Sequence, residues 1–288
     1  MHFLKFKKRD VSLYLKTESE KALELVLHVF QQPGLTKVKT LKESEIIVEF
    51  GCDESNPDNG WWVKDTCKDQ NVNKKNLQVG DFIFYLSDRL VFHCADKIRS
   101  AHCLHAAAVV HNDLSIIIPA KSGSGKSSLT CWLLSKGFDY VTDELILIDE
   151  SASFESVLRP IQIKRHGIEA IEPLINDREE VYSGKVVNAL GPAVFGSNVS
   201  QKKKHKLSLF LFPQYKAKSK YEFKRLSSAE AGLVLMGNNV NARNHPTHGF
   251  KELMSLVRST PAYALNYGGF DQLPDDFIEQ LISICTEQ

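Results

Sequence analysis

The feature that most constrains this chain is a glycine- and serine-rich segment that joins a β-rich run to a helical pattern. The run Leu114–Pro119 is apolar and β-branched, as is typical of a strand buried on both faces. The segment that follows reads Ala120-Lys121-Ser122-Gly123-Ser124-Gly125-Lys126-Ser127, and the helical pattern over residues 126–136 ends at Gly137. A strand, a glycine-rich turn and a helix in this order predict an α/β fold.

This segment matches the P-loop pattern, with Ala120 in place of the usual first glycine. Gly123 and Gly125 permit backbone conformations in which successive N–H groups converge on phosphate oxygens, and the following helix directs its positive end at the same anion. Lys126 is expected to neutralise β- and γ-phosphate charge, and Ser127 to offer its hydroxyl to Mg²⁺. The sequence therefore predicts a nucleotide-binding site. Its expected residues are Ala120, Lys121, Ser122, Gly123, Ser124, Gly125, Lys126, Ser127 and Ser128.

An acidic pair, Asp143-Glu144, lies between two predicted strands that cover residues 138–142 and 145–148. Ligands of open α/β sheets bind at the carboxyl ends of strands, which is where this pair falls. A carboxylate there can bind Mg²⁺ or accept a proton from an attacking hydroxyl. We therefore expect the metal ligands to be Ser127, Asp143 and Glu144; a solvated acidic turn is the alternative.

His105 lies in an apolar run over residues 104–110, on a strand expected to form a hairpin with Leu114–Pro119. A side chain on this strand would reach the phosphate region. The residues alone leave two interpretations open, a core histidine and a site residue.

Composition limits the function classes. The chain has 36 Lys+Arg against 35 Asp+Glu, and this balance argues against nucleic-acid binding by bulk charge. No apolar run approaches the roughly 20 residues of a membrane helix, and the first residues do not resemble a secretory signal. The six cysteines include no C-x-x-C pair, so neither a zinc site nor a disulfide framework is predicted. We expect a soluble, cytoplasmic protein with no nucleic-acid or membrane partner.

The length of 288 residues allows one large domain or two ordinary ones. Strand and helix patterns are mixed in residues 1–100, which predicts a smaller N-terminal α+β domain, and residues 101–288 are predicted to form the P-loop domain. The patterns are weaker after Asp149. There we expect a long loop over residues 184–200, a strand over 207–212, helices over 250–258 and 275–284, and a turn over 266–269.

Together, His105, the glycine-rich loop and the acidic pair resemble the HPr kinase/phosphorylase family, and more closely the HPr kinase-related proteins. The matching strings are Leu104-His105-Ala106-Ala107, the loop at residues 120–127, and Val141-Thr142-Asp143-Glu144-Leu145. The similarity covers about residues 103–168. It implies a P-loop core of the HPr kinase and phosphoenolpyruvate carboxykinase type, dependent on ATP and Mg²⁺. It also implies transfer of the ATP γ-phosphoryl group to a serine hydroxyl of a protein or peptide partner.

Three catalytic roles follow from the resemblance by position. Asp143 would be the general base toward the acceptor hydroxyl, His105 would lie by the phosphates, and Lys126 would stabilise the transferring group. The chain departs from the family downstream, where Gln162 stands in place of a metal-binding Glu. A neutral amide is a weaker Mg²⁺ ligand than a carboxylate. Arg159 and Lys164 are expected either to contact phosphate or to solvate a loop.

Two further hypotheses remain open at this point. One is a small-molecule kinase or a phosphorylase on the same scaffold, which would include phosphorolysis of a phosphoserine. The other is a non-catalytic ATP-binding module that regulates a partner, which Gln162 favours. The sequence does not identify the phosphoacceptor. The family resemblance allows a homo-oligomer, but no residue of this chain indicates one.

Overall fold

The computed structural model describes residues 1–30, 34–40, 47–66, 71–157 and 159–286. These residues form a mixed α/β structure with three β-sheets. The strands are β1 (His2–Lys8), β2 (Val11–Thr17), β3 (Leu35–Val38), β4 (Ile47–Cys52), β5 (Trp61–Asp65), β6 (Val72–Leu77), β7 (His102–His111), β8 (Leu114–Pro119), β9 (Asp139–Thr142), β10 (Leu145–Ile148), β11 (Ser153–Val157), β12 (Ile161–Lys164), β13 (Val181–Tyr182), β14 (Val187–Leu190), β15 (His205–Tyr215), β16 (Glu222–Arg225) and β17 (Ala262–Tyr267). The helices are α1 (Glu20–Val29), α2 (Val79–Lys97), α3 (Lys126–Ser135), α4 (Ser228–Gly237), α5 (Phe250–Ser259) and α6 (Phe277–Thr286).

The N-terminal sheet has six strands in the order β3-β1-β2-β4-β5-β6. Alternation in β1 buries Leu4 and Phe6, and the facing strand β2 buries Leu13 and Leu15. The period of two therefore places one face of the sheet in the core, where α1 and α2 pack against it.

The main sheet has eight strands on the path β11-β10-β7-β8-β15-β17-β16, with β9 paired to β7. Strand β8 lies between the antiparallel β7 and the parallel β15, which explains why Ile116, Ile117 and Ile118 are all buried. An additional pairing of β11 with β15 closes five of these strands into a ring. The strand that leads into the glycine-rich loop is thus held from both sides.

A small sheet of β12, β14 and β13 is attached to helix α2 by one buried carboxylate. Asp81 accepts backbone hydrogen bonds from Lys185, Val186 and Val187 at 2.7, 3.0 and 3.2 Å. Gly80 also approaches this segment closely, because a Cβ there would lie 2.4 Å from the Tyr182 carbonyl oxygen. Helix α2 and the small sheet are therefore fixed to each other.

The two predicted domains share buried contacts. One hydrophobic cluster contains Cys94 of α2 and Ile98, which follows that helix, together with Cys103, Leu145 and Leu147 of the main sheet. In addition, the fully buried Asn241 accepts a hydrogen bond from the Cys103 amide and donates to the carbonyls of residues 98 and 101. The division at residue 100 stays a prediction.

Several elements differ from the sequence-based expectations. The expected loop over residues 184–200 contains strand β14, and the expected turn over residues 266–269 begins inside β17, whose last residue is the buried Tyr267. Both strands are short and gain their stability from neighbours distant in sequence, β12 and β15, so local patterns did not reveal them.

Five cysteines, Cys52, Cys94, Cys103, Cys131 and Cys285, are free and buried, while Cys67 lies outside the described residues. Among the helices that the structure describes, none has the length and apolar character needed to cross a membrane.

Candidate functional site

The loop between β8 and α3 adopts a backbone that requires glycine at two positions. Gly123 and Gly125 have φ angles of +88° and +86°, in the left-handed region. Between them, the Ser124 amide donates to the Lys121 carbonyl at 3.1 Å and forms a tight turn. Gly125 is also the N-cap of α3, so the loop delivers the chain directly to the positive end of that helix.

The loop and the acidic pair meet through Asp143, whose side chain is 0% exposed. Lys126 Nζ lies 2.7 Å from Asp143 Oδ1, and Ser127 Oγ donates to Asp143 Oδ2 at 2.7 Å. Lys126 also donates to the Asp143 carbonyl oxygen. Both carboxylate oxygens are thus bound by the first two residues of α3, and three predicted site residues form one buried cluster.

A second group of charges surrounds Glu144. Its Oε2 forms an ion pair with Arg159 Nη2 and lies 3.6 Å from His105 Nε2. Burial alone would raise the pKa of the Glu144 carboxyl. The Arg159 guanidinium, the adjacent His105 imidazole and the charge of Lys126 outweigh burial and lower that pKa from its ordinary 4.5 to about 2. Glu144 is therefore ionised at neutral pH.

Pairing of the strands explains how His105 reaches this region. In the β7–β8 hairpin, Ala106 lies opposite Pro119, so His105 is level with the start of the glycine-rich loop. Its other neighbour is β10, where His105 pairs with Leu145. The histidine is half-buried and lines a cavity, so it is not enclosed in the core; its role in a site stays a prediction.

A cavity of about 820 Å³ opens between the loop, strand β12 and helix α2. The predicted residues on its wall include His105, Lys126, Ser127, Glu144, Arg159 and Gln162. Asp143 does not line it, because Lys126 and Ser127 cover its carboxylate. Lys164 extends from β12 to the loop, where its Nζ donates to Ser122 Oγ at 3.2 Å.

Sequence reasoning missed several residues of this cavity, among them two tyrosines and two residues of α2. Tyr215 and Tyr267, at the ends of the parallel strands β15 and β17, hold the loop: the Tyr215 amide donates to the Ser124 carbonyl at 3.0 Å, and the Tyr267 hydroxyl donates to the Gly125 carbonyl at 3.2 Å. Phe84 and Asp88 of α2 line the opposite wall. Only the pairing of distant strands and the docking of α2 bring these residues to the cavity.

The residues present fit a Mg²⁺ ion shared with a phosphate ligand. Within the described residues there is no group of three or more His, Cys, Asp or Glu side chains arranged to bind a metal alone. Mg²⁺ commonly takes one or two protein oxygens and completes its shell with substrate phosphates and water. Ser127 and Asp143 have such oxygens side by side, and the Asp143 carboxylate would reach a metal only when Lys126 turns away from it. Glu144 is paired with Arg159.

The comparisons with known proteins do not show a family for this chain. No family model matches the chain, and no curated protein matches it. Among solved structures, it is similar to the HPr(Ser) kinase/phosphatase from Coxiella burnetii, with 14% sequence identity and a TM-score of 0.31, over 63% of this chain and 93% of that one. At this TM-score the similarity shows neither the fold nor the function of this chain, and both are inferred from its own residues.

Replacing each loop glycine with alanine tests the loop conformation. Gly123→Ala and Gly125→Ala share the strain of a left-handed φ, about 1–2 kcal/mol each. Only the Gly125 Cβ meets other atoms, at 2.5 Å from the Tyr267 hydroxyl and 2.7 Å from the Tyr215 Cβ, whereas a Cβ at Gly123 meets nothing within 4 Å. We expect Gly125→Ala to lose about 1–3 kcal/mol more in urea unfolding. Equal losses would contradict the packing described.

Acid titration tests the charge group at Glu144. Because the pKa of Glu144 is lower in the folded state, its stabilisation is complete above about pH 4.5 and is lost as the pH falls toward 2. The difference in unfolding free energy between wild type and Glu144→Gln should therefore shrink by up to about 3 kcal/mol from about pH 5 to about pH 2. Glu172→Gln, which alters the exposed pair with Arg178, is the control and should show little such change. A pH-independent difference at Glu144 would be the contrary result.

Proposed function

We propose that this chain is an ATP-dependent, Mg²⁺-requiring phosphotransferase of the HPr kinase-like serine kinase type, which transfers the γ-phosphoryl group to a hydroxyl of a protein or peptide partner. One observation carries the proposal. Lys126 and Ser127 share the buried carboxylate of Asp143 at the end of a loop with two left-handed glycines. This combination of cation, hydroxyl and acid is what binding of a metal–triphosphate requires.

The charges around the loop suit a triphosphate. Lys121 and Lys164 are exposed at the loop and have no carboxylate within ion-pair distance among the described residues. The amino group of Lys126 needs only to turn from Asp143 to face a ligand on the loop, because the cavity wall includes its side chain. A triphosphate would therefore be bound by lysines and by the N-terminus of α3.

Mg²⁺, when bound by Ser127 and Asp143, would supply neutralisation of the charge on the β- and γ-phosphate oxygens. In the proposed transfer, the acceptor hydroxyl oxygen bonds to the γ-phosphorus as the bond to the bridging oxygen breaks. Asp143 takes the hydroxyl proton once Lys126 has moved from its carboxylate. His105 and the Glu144–Arg159 pair, which contact each other, would lie beside the reacting groups and position them.

A regulatory ATP-binding module is the second candidate, and the burial of Asp143 favours it. With both carboxylate oxygens bound and no exposed surface, this side chain makes no contact with the cavity. If Lys126 stays on Asp143 after nucleotide binding, the carboxylate has no path to an acceptor hydroxyl. The chain would then bind ATP without transferring phosphate.

Two variants test the proposal. Titration calorimetry with MgATP should show an affinity at least about tenfold lower for Lys126→Met, because a charge-assisted contact to phosphate is lost. Lys136→Met changes an exposed lysine at the other end of the same helix and should leave the affinity unchanged.

The transfer step is tested with γ-labelled ATP, Mg²⁺ and a cell lysate. Asp143→Asn should abolish labelling of a partner protein while ATP still binds. Wild-type protein that binds ATP and labels nothing supports the regulatory module. Wild-type protein that binds no ATP contradicts both candidates.

A further inference from the structure

The amide of Gln162 is a buried donor without a partner. Gln162 lies on β12 with 8% of its surface exposed, lines the cavity, and its Nε2 makes no hydrogen bond to any described residue. The neighbouring Arg159, also 8% exposed, has an unpaired Nε. Buried donors without partners destabilise a fold, so their presence on a cavity wall points to a ligand that accepts hydrogen bonds.

The charges around Gln162 and Arg159 indicate which kind of hydrogen-bond acceptor fits these two donors. Arg159 is paired with Glu144, and Lys126 is paired with Asp143, so both of these cavity-lining cations are compensated by carboxylates. The exposed lysines lie instead at the glycine-rich loop. An anion is therefore favoured at the loop, whereas the donors of Gln162 and Arg159 match a neutral carbonyl oxygen.

The wall across the cavity from Gln162 is formed by α2 and suits a short peptide segment. Phe84 and Asp88 of α2 line it, the first with an aromatic ring and the second with a carboxylate that is paired with Arg89. The spacing between the walls is fixed, because Asp81 ties α2 to residues 185–187 and Ala189, which follows in β14, pairs with Gln162. The structure thus holds donors on one side and an acceptor with an apolar group on the other.

We propose that Gln162 and Arg159 donate hydrogen bonds to a peptide carbonyl oxygen of the phosphoacceptor, which lies as a peptide segment between β12 and α2. This inference rests on the proposed function, since it assigns the acceptor side of the same cavity. Gln162 then determines acceptor specificity, and it is not a weakened metal ligand.

The test uses two small probes on the full chain saturated with a non-hydrolysable MgATP analogue. N-acetylserine N-methylamide has a hydroxyl and two neutral amide carbonyls. N-acetylserine has a carboxylate in place of the methylamide group. Saturation-transfer NMR should show that the neutral diamide binds more tightly than the acid. Gln162→Leu should weaken diamide binding at least about tenfold and leave ATP affinity within about twofold. Gln280→Leu, on α6 and outside this cavity, is the control.

Two more readouts separate the roles of Gln162. The melting temperature of ligand-free Gln162→Leu should equal or exceed that of wild type, because an unpaired amide is removed. Gln162→Glu should also weaken diamide binding, since a carboxylate cannot donate. A lower Mg²⁺ requirement for ATP binding in Gln162→Glu would instead assign position 162 to the metal and overturn the inference.

The remaining outcomes also contradict it. No diamide binding, equal binding to wild type and Gln162→Leu (the result if water satisfies the amide), or tighter binding of the acid would each reject a peptide-carbonyl site. If Gln162→Leu lowers ATP affinity as much as diamide affinity, Gln162 belongs to the nucleotide. These results leave ATP binding by wild type intact, so they are distinguishable from failure of the proposed function, in which ATP itself does not bind.

Discussion

The ion pair between Lys126 and Asp143 is the interaction on which the site depends. A buried carboxylate is costly unless it is paired and its oxygens accept hydrogen bonds. Here Lys126 and Ser127 satisfy both oxygens from the first turn of α3, and the acid lies between β9 and β10 of the main sheet. The glycine-rich loop is therefore fixed to the sheet, and any anion bound by the loop changes the environment of Asp143.

The rest of the cavity is arranged around that pair. Strands β15 and β17 hold the loop through Tyr215 and Tyr267, and β12 contacts it through Lys164. Helix α2 closes the far side, fixed to the small sheet by Asp81. The loop side is rich in cations, while the β12 side combines ion pairs with unpaired donors. In the proposed function, this division would give a nucleotide and its acceptor chemically different places.

The sequence predicted the parts of the site that depend on local pattern. The loop, the following helix and the strands around the acidic pair lie where periodicity and glycine spacing placed them. The burial of Asp143 behind Lys126 was not predictable, because it depends on how α3 packs on the sheet. The roles of Tyr267 and Phe84 were missed for the same reason: one follows from a parallel pairing with β15, and the other from docking of a helix distant in sequence.

The dependence of ATP affinity on Mg²⁺ tests the central claim most directly, by calorimetry on wild type and Asp143→Asn with and without the metal. If Lys126, Ser127 and Asp143 form one metal–triphosphate site, Mg²⁺ strengthens ATP binding to wild type, and the gain is largely lost in Asp143→Asn. Removal of the carboxylate also frees Lys126, so metal-free ATP should bind the variant at least as tightly as wild type. An equal gain from Mg²⁺ in both proteins would contradict the account.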